Sequence, residues 1–379
     1  MTRYIIRRLI QAIPNFFGIT ILVFIIMSLV PGGFVELLYF GDPDVTPEDK
    51  ERLEDALGLN DPLPLQYLRW LIGDDWQVVE RRAPFARESF PWLQLLNDGV
   101  IQRAYDGAVD EIHGNAKGIL RGDFGRSFKT NRDALKLVVD LLPATLELGV
   151  ASLLFGLVTG IPVGIIAAIY KNGWFDNSSR VLAVFLNSIP NFWLGLIFLY
   201  VFAFSLGLLP TGDRYDIGER AEAILQAGGD SSHIPIPPIW TRLEYLLLPV
   251  IVLGAAGLAG NSRLMRSTML DTIHQDYIRT ARAKGLPLRV IWFKHGVRNA
   301  LIPIAVGLGP GIAFIWGGAP VTEAVFTWPG IGRLSIIALG QRDFPIVLTV
   351  MVLSAIATIV GFLLSDIFVA MLDPRVRFD

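Results

Sequence analysis

The sequence predicts an all-α polytopic membrane protein, and three observations point to this class. Hydrophobic residues make up 52% of the 379 residues and charged residues only 18%, whereas a soluble domain usually carries about a quarter charged residues. Six apolar stretches meet or approach the length of about 20 residues that a helix needs to cross a bilayer. Lysine and arginine are also concentrated in alternate connections between these stretches, which is typical of a chain that crosses a membrane several times.

The predicted spans follow one another along the chain: Leu9–Val30, Leu146–Tyr170, Val181–Leu209, Leu246–Gly260, Ile302–Ala319 and Ile346–Leu372. The first has a basic head, but its apolar run is too long for a cleaved signal peptide, so we expect a retained anchor. The fourth is short, but Leu264, Met265 and Met269 continue its helical spacing, which predicts a helix that extends past the bilayer. The third contains Pro190, which predicts a kink within one span.

Basic residues predict the orientation of the spans. Residues 261–299, between the fourth and fifth spans, contain eight lysines and arginines, and further basic residues flank both termini. Because short cytoplasmic connections are rich in these residues, both termini are predicted to be cytoplasmic, with residues 31–143 outside. The predicted parts are an anchor helix (1–30), an extracytoplasmic segment with an insertion (31–143), a core of five helices (144–372) and a cytoplasmic tail (373–379).

The composition argues against several classes of function. The chain has no cysteine, which excludes disulfides, thiolate catalysis and cysteine-ligated metals. It has no Gly-Lys dipeptide and therefore no nucleotide-binding loop of the usual type, and its histidines match no zinc-protease motif. The net charge of −2 offers no general attraction to nucleic acid. We therefore expect no enzymatic activity, no cofactor, no metal site and no nucleic-acid partner.

Few polar side chains lie within the predicted spans. Glu147 and Asp366 lie near span ends, where hydrogen bonding to the interface or to another helix is the simpler interpretation. Asn187, Ser188 and Asn191 form the most polar patch inside a span, and they are our candidates for lining a transport pathway. A structural hydrogen bond between helices explains this patch equally well.

Glycines recur on two spans. Gly156, Gly160 and Gly164 are spaced by four residues in the second span, and Gly307 and Gly311 share this spacing in the fifth. Such a stripe lets another helix approach closely. The partner could be a second subunit or another helix of the same chain, and the sequence favours neither.

The connection 261–299 is the most informative segment. A short helix over Tyr277–Gly285, ended by Gly285, fits its sequence, with the small Ala281 and Ala283 among basic neighbours. A basic topology signal lying on anionic lipid would explain the arginines. It would not explain the Ala-x-Ala-x-Gly pattern.

This connection and several other stretches of the chain resemble a known family. Tyr277–Gly285, followed by Arg298–Pro303, resembles the EAA signature of binding-protein-dependent ABC importer permeases, and more narrowly the first permease subunit of oligopeptide and dipeptide importers. Further stretches agree: Tyr4–Leu9, Leu142–Leu148, Val321–Gly332 and Leu372–Val376. The signature starts with Thr280 instead of glutamate, and an insertion of about Asp74–Lys117 departs from the family pattern.

The resemblance implies the type I ABC importer permease fold, with six transmembrane helices and a large external segment between the first two. It also implies four kinds of partner in or at the cytoplasmic (inner) membrane: a second permease forming a heterodimer, two ATP-binding ABC subunits, an extracytoplasmic substrate-binding protein, and lipid. Those ATP-binding subunits would hydrolyse the ATP.

By resemblance, one segment couples the permease to the ATPase, with Ala281 and Ala283 allowing a close fit in a groove of the ATP-binding subunit. The predicted coupling residues are Asp276, Tyr277, Ile278, Arg279, Thr280, Ala281, Arg282, Ala283, Lys284 and Gly285. The implied cargo is peptides, with nickel complexes, glutathione or oligosaccharides as alternatives. A secondary transporter is the alternative class, but its usual coupling acids or matching broken helices in two halves are missing from the sequence.

Overall fold

The computed structural model describes residues 2–29, 61–73, 117–216, 218 and 237–372. Within these residues the regular structure is helical, apart from an isolated β-bridge between Arg126 and Asp133. The helices that matter for the site are α1 Thr2–Ser28, α2 Leu63–Ile72, α3 Ala134–Ile169, α4 Trp174–Ser188, α5 Asn191–Ser205, α6 Leu243–Ile273, α7 Asp276–Ala283, α8 Leu288–Ala300, α9 Ile302–Trp316, α10 Pro320–Val325, α11 Ile331–Gly340 and α12 Phe344–Leu372. The predicted all-α membrane class is confirmed.

Three helices, α3, α6 and α12, are long and apolar enough to cross a membrane by themselves. The pairs α4–α5 and α8–α9 reach that length only when each bent pair is counted as one span. In α1 the apolar stretch found is Ile10–Ile26, which is shorter. These helices coincide with the six predicted apolar stretches, and the count of six transmembrane helices stays a prediction.

The third predicted span is broken. α4 and α5 meet at an angle of 102°, so the interruption predicted at Pro190 is a sharp break between two helices. Pro190 disfavours helical geometry at the preceding residue. Ile189 accordingly has extended backbone angles, with φ −87° and ψ 127°. The chain therefore changes direction inside an apolar segment.

α3 begins before the predicted boundary at Leu146. Asp133 Oδ1 accepts a hydrogen bond from the Lys136 amide at 2.8 Å, which satisfies one of the free N–H groups of the first helical turn. The helix then runs through Pro143 and Pro162 without interruption. Hydropathy identified only the apolar part of a longer helix.

The glycine stripe of α3 packs against another helix of the same chain. A Cβ atom at Gly156 would lie 3.1 Å from the Gly257 backbone, and one at Gly160 would lie 2.8 Å from the Leu258 carbonyl oxygen. At Gly164 the Ser262 carbonyl oxygen would be 2.5 Å away. The stripe thus brings α3 close to α6, and internal packing is the alternative that the structure supports.

The chain forms two compact units. The first comprises Met1–Phe16, Val139–Ile337 and Leu353–Asp379, and the second comprises Phe17–Val138 and Ala338–Val352. Clusters of buried apolar residues hold the helices of the first unit together; one contains Met265, Met269 and Ile304.

Aromatic and polar contacts are prominent in the described part of the second unit. Phe24 lies 5.6 Å from the rings of both Tyr67 and Trp70. Ser127 Oγ donates a hydrogen bond to Asp343 at 2.5 Å. Of the predicted insertion, residues 74–116 lie outside the described residues.

Candidate functional site

The predicted coupling helix is present as α7. α6 ends at Ile273, and α7 starts at Asp276 after a two-residue connection in which Gln275 is extended, with ψ 150°. The acidic side chain of Asp276 lies in the first turn, where it complements the positive end of the helix dipole. α7 is therefore a separate short helix at the end of a long one.

Gly285 ends this helix as the sequence predicted. Its φ of +74° lies in the left-handed region, which favours glycine. The Gly285 amide bonds to the Arg282 carbonyl at 2.9 Å, and the Leu286 amide bonds to the Ala281 carbonyl at 3.4 Å. These two bonds form a Schellman motif, which satisfies carbonyl groups at the helix end.

One face of α7 packs against its own chain. Ile278 and Ala281 are buried, at 0% and 7% exposure, in a small cluster with Ile291 of α8, and Trp292 packs against them. α8 therefore covers most of the Ala281 side chain, which leaves less of it available for the predicted fit into a partner's groove. The spacing of three residues between Ile278 and Ala281 was the signal in the sequence for a shared inner face.

The other face of α7 is open. The exposed members of the predicted set are Asp276, Tyr277, Arg279, Thr280, Arg282, Ala283, Lys284 and Gly285. Ala283 is the small residue that remains available for close contact with a partner. Arg279 Nη1 lies 3.6 Å from Asp276 Oδ1, and both side chains are well exposed. The face thus presents several charges around one small residue.

A polar contact fixes α7 to α8 at its first turn. Asn299 Nδ2 donates to the Tyr277 hydroxyl oxygen at 2.7 Å and lies 3.4 Å from the His295 carbonyl oxygen. α7 is therefore attached at two points, the small apolar cluster and this bond. Both attachments are to the helix that leads into α9.

The predicted pathway residues lie at the break between α4 and α5. Asn187 and Ser188 are exposed at the end of α4, and Asn191 is half-buried at the start of α5. Ser188 Oγ donates to the Val184 carbonyl oxygen at 2.8 Å, so its hydroxyl is partly used within its own helix. These three residues lie together at the break between α4 and α5.

α6 runs between the two predicted sites. Leu186 and Ile189, beside the polar patch, pack against a cluster that includes Val252 and Ala255 of α6. The distance along α6 from Ala255 to its end at Ile273 is about 27 Å at 1.5 Å per residue. A signal between the two sites would therefore have to travel along α6 or its neighbours.

A buried ionic cluster, which the sequence did not predict, lies at the start of the apolar part of α3. Glu147 accepts hydrogen bonds from Arg214 Nε at 3.0 Å and Arg242 Nη1 at 2.6 Å. The three side chains are at most 9% exposed. The expected inter-element hydrogen bonding of Glu147 is confirmed, whereas the side chain of Asp366 lies outside what the structure describes.

Glu323 forms a second buried polar centre next to this one. Its side chain accepts hydrogen bonds from the Ala319 amide at 3.2 Å, the Arg333 amide at 2.9 Å and the Thr145 hydroxyl at 3.3 Å. Burial raises the pKa of the Glu323 carboxyl, although these hydrogen bonds oppose the shift. Together, Thr145, Glu147, Arg214, Arg242 and Glu323 are called the buried polar cluster below.

No group of three or more His, Asp or Glu side chains is placed to hold a metal ion in the part of the chain that the structure describes. The candidate site therefore consists of the exposed face of α7, the polar patch at the break between α4 and α5, and the buried polar cluster.

The fold and the site define a multi-pass helical membrane protein with an exposed, capped helix in its basic connection. A family model for the binding-protein-dependent transport system inner membrane component matches residues 160–378. A second model, for the N-terminal part of such membrane components, matches residues 1–101. The chain belongs to this family, and the resemblance stated from the sequence is confirmed.

Curated relatives match along the whole chain. The oligopeptide transport system permease protein AppB of Bacillus subtilis (strain 168) is 35% identical over 379 residues, covering 100% of both chains. The di/tripeptide transport system permease protein DppB of Pseudomonas aeruginosa (strain UCBPP-PA14) is 34% identical, covering 100% of this chain and 99% of its own. The glutathione transport system permease protein GsiC of Escherichia coli (strain K12) is 30% identical, with full coverage of both chains.

Proposed function

We propose that this chain is one permease subunit of an ATP-driven importer and forms half of the path by which di- and oligopeptides cross the cytoplasmic membrane. The observation that carries the proposal is α7, a short helix fastened on one face by Ile278 and Ala281 and exposed on the other. Such a helix suits contact with a separate subunit, because its inner face fixes its position while its outer face remains available.

The partner of α7 in this proposal is an ATP-binding subunit. Ala283 permits a close approach, and Arg279, Arg282 and Lys284 can pair with acidic side chains around a groove. Closure of two ATP-binding subunits on ATP would then shift a two-state helical bundle, since their contact with α7 differs between the two states. ATP hydrolysis belongs to those subunits, in keeping with the absence of a Gly-Lys dipeptide from this chain.

The remaining partners are a second permease subunit and an extracytoplasmic binding protein that delivers cargo. In this arrangement the termini and α7 are cytoplasmic, and residues 31–143 are outside. The lysines and arginines of residues 261–299 support this orientation. Asn187, Ser188 and Asn191 would face the path between the two permeases, at the break between α4 and α5.

Peptides are the proposed cargo because the relatives AppB and DppB, at 35% and 34% identity, are named for oligopeptides and di/tripeptides. Glutathione is the second candidate, because GsiC is 30% identical over its full length. Competition between a labelled dipeptide and an excess of glutathione during uptake distinguishes the two.

Cross-linking from α7 tests the proposal directly, because the chain has no cysteine of its own. Ala283→Cys, carrying a thiol-attached photo-cross-linker, should capture a co-expressed ATP-binding subunit in membrane vesicles. Ala281→Cys is the matched control, since it places the thiol two residues away but under α8, and it should give little product. An impermeant thiol reagent added to intact cells should leave Ala283→Cys unlabelled.

Equal capture from both positions, or capture from neither, would argue against α7 as the contact for the ATPase. Labelling of Ala283→Cys from outside the cell would overturn the proposed orientation.

A further inference from the structure

Asp176, which is buried, and Arg266, which is 18% exposed, form an ion pair that the proposed function does not yet use. Asp176 is completely buried near the start of α4. Arg266 Nε donates to its Oδ1 at 2.5 Å, and Nη2 donates to its Oδ2 at 2.7 Å. The Asn172 amide adds a third hydrogen bond at 2.8 Å. A guanidinium bound through two parallel bonds fixes orientation as well as distance.

Arg266 lies in the part of α6 that leads to α7. About two turns of helix separate it from the end of α6 at Ile273, and α7 begins at Asp276. α3 also packs tightly here, because a Cβ atom at Gly164 would lie 3.1 Å from the Arg266 amide nitrogen. Because Arg266 lies near this end of α6, a displacement of α7 would act on Arg266 before it acts on the more distant part of α6.

α4 is joined to α6 at both of its ends. Asp176 binds Arg266 at the start of α4. At its other end, Leu186 and Ile189 pack against the cluster that contains Val252 and Ala255. Beyond Ile189 the chain turns through 102°, at the point where the polar patch of Asn187, Ser188 and Asn191 lies. Apolar contacts have no fixed donor and acceptor, whereas the bidentate ion pair defines one register between the two helices.

We propose that Asp176 and Arg266 are positioning residues that make α4 move together with α6, so that a displacement of α7 reaches the helix break at Pro190. This inference rests on the proposed function, because it assumes that α7 receives the force. In this inference the ion pair transfers the displacement from α6 to α4, and so to the polar patch of Asn187, Ser188 and Asn191.

A purely stabilising role explains the pair less well. Replacing a buried ion pair by apolar residues is often neutral or even stabilising, so stability alone gives little reason for burying the Asp176 carboxylate against a half-buried Arg266. What a bidentate pair adds is a single fixed geometry between two helices. Such a fixed geometry is needed if α4 is to move together with α6.

The test uses the whole transporter, reconstituted in vesicles with its partner subunits, and measures peptide uptake and ATP hydrolysis in the same sample. Coupling between two sites commonly amounts to about 5- to 150-fold, so we expect Arg266→Gln or Asp176→Asn to lower the peptide imported per ATP about tenfold. Hydrolysis stimulated by the binding protein should change much less than uptake. A loss of fold alone would lower both together.

Arg180→Gln is the matched control, because Arg180 Nε lies 3.9 Å from Asp176 Oδ1 but its side chain is 51% exposed. It removes the same charge from the same carboxylate, and it should leave the peptide imported per ATP unchanged. Arg266→Lys keeps the positive charge but replaces the planar donor pair by a single point contact. Arg266→Lys should fold and import an intermediate amount of peptide per ATP. It therefore keeps the test decisive if Arg266→Gln fails to assemble.

The exchanged pair Asp176→Arg with Arg266→Asp gives the decisive comparison. Recovery of the ratio above both single variants supports the inference, because the two sites then act through each other. An exchanged pair no better than the worse single variant would overturn it, as would unchanged ratios in Arg266→Gln and Asp176→Asn. If the unmodified transporter hydrolyses ATP without importing peptide, the proposed function fails, and this inference fails with it.

Discussion

The buried polar cluster and α7 use charge in opposite ways. In the cluster, Glu147 binds two arginines, and all three side chains are at most 9% exposed. In α7, Arg279 and Asp276 are 73% and 97% exposed, and two apolar side chains, Ile278 and Ala281, supply the buried contacts. The charges of the buried polar cluster therefore make internal contacts, whereas the charges of α7 lie on the surface.

The difference distinguishes a region that holds the chain together from the helix that we propose meets a partner. Buried charges that have lost water depend on their partners, so the buried polar cluster fixes α3, Arg214 and Arg242 relative to one another. Exposed charges contribute little to the stability of the chain, so those of α7 can change partners at low cost. Substitutions in the two regions should therefore affect different measurements.

The largest expected effect is that of Glu147→Ala. It leaves two buried guanidinium groups without their carboxylate, and removing one member of a buried pair costs about 3–5 kcal/mol. We expect a large fall in the thermal unfolding midpoint of the purified chain in detergent. Arg282→Ala on α7 is the control and should change stability by at most about 1 kcal/mol. Equal stability losses in both variants would remove the contrast between the two regions.

The general fold was predictable because lipid imposes a simple rule. A helix that crosses a bilayer must be long and apolar, so α3, α6 and α12 stand out from composition alone. The end of α7 was equally predictable, because a glycine after a short helical pattern favours the left-handed cap found at Gly285. Both signals are local in the sequence.

The remaining features depend on contacts that no local pattern contains. Arg214 and Arg242 lie 67 and 95 residues from Glu147 along the chain, so spacing could not pair them. At Pro190 the sequence predicted a kink, but the angle of 102° depends on how α4 and α5 pack separately. The burial of Ala281 depends on Ile291, ten residues later along the chain.

Ala281→Trp and Ala283→Trp test the two faces of α7 against each other, with an intermediate effect. Ala281 is packed beneath α8, and overfilling such a site costs about 1–3 kcal/mol, so Ala281→Trp should detach α7 and lower the stability of the purified chain. Ala283→Trp points away from the chain and should leave that stability unchanged. It should instead weaken association with the ATP-binding subunits, measured by co-purification.

A reversed result would contradict the orientation of α7. If Ala283→Trp destabilised the isolated chain and Ala281→Trp affected only the association, the inner and outer faces would have to be exchanged.

The smallest expected effect concerns Gly285, where the obstacle is conformational alone. A Cβ atom placed there would meet no atom within 4 Å, but φ is +74°. The left-handed conformation costs an ordinary residue about 1–2 kcal/mol, and a β-branched one more, so Gly285→Val should loosen the end of α7 while the buried polar cluster stays intact. Limited proteolysis of the assembled transporter should then cut near Gly285 faster, and peptide uptake should fall. Gly285→Asn is the matched control, because asparagine tolerates the left-handed region and fills comparable space. If Gly285→Val and Gly285→Asn lost uptake equally, bulk and not backbone geometry would limit this position, and normal uptake in both would show that the cap of α7 does not contribute to the proposed contact with the ATPase.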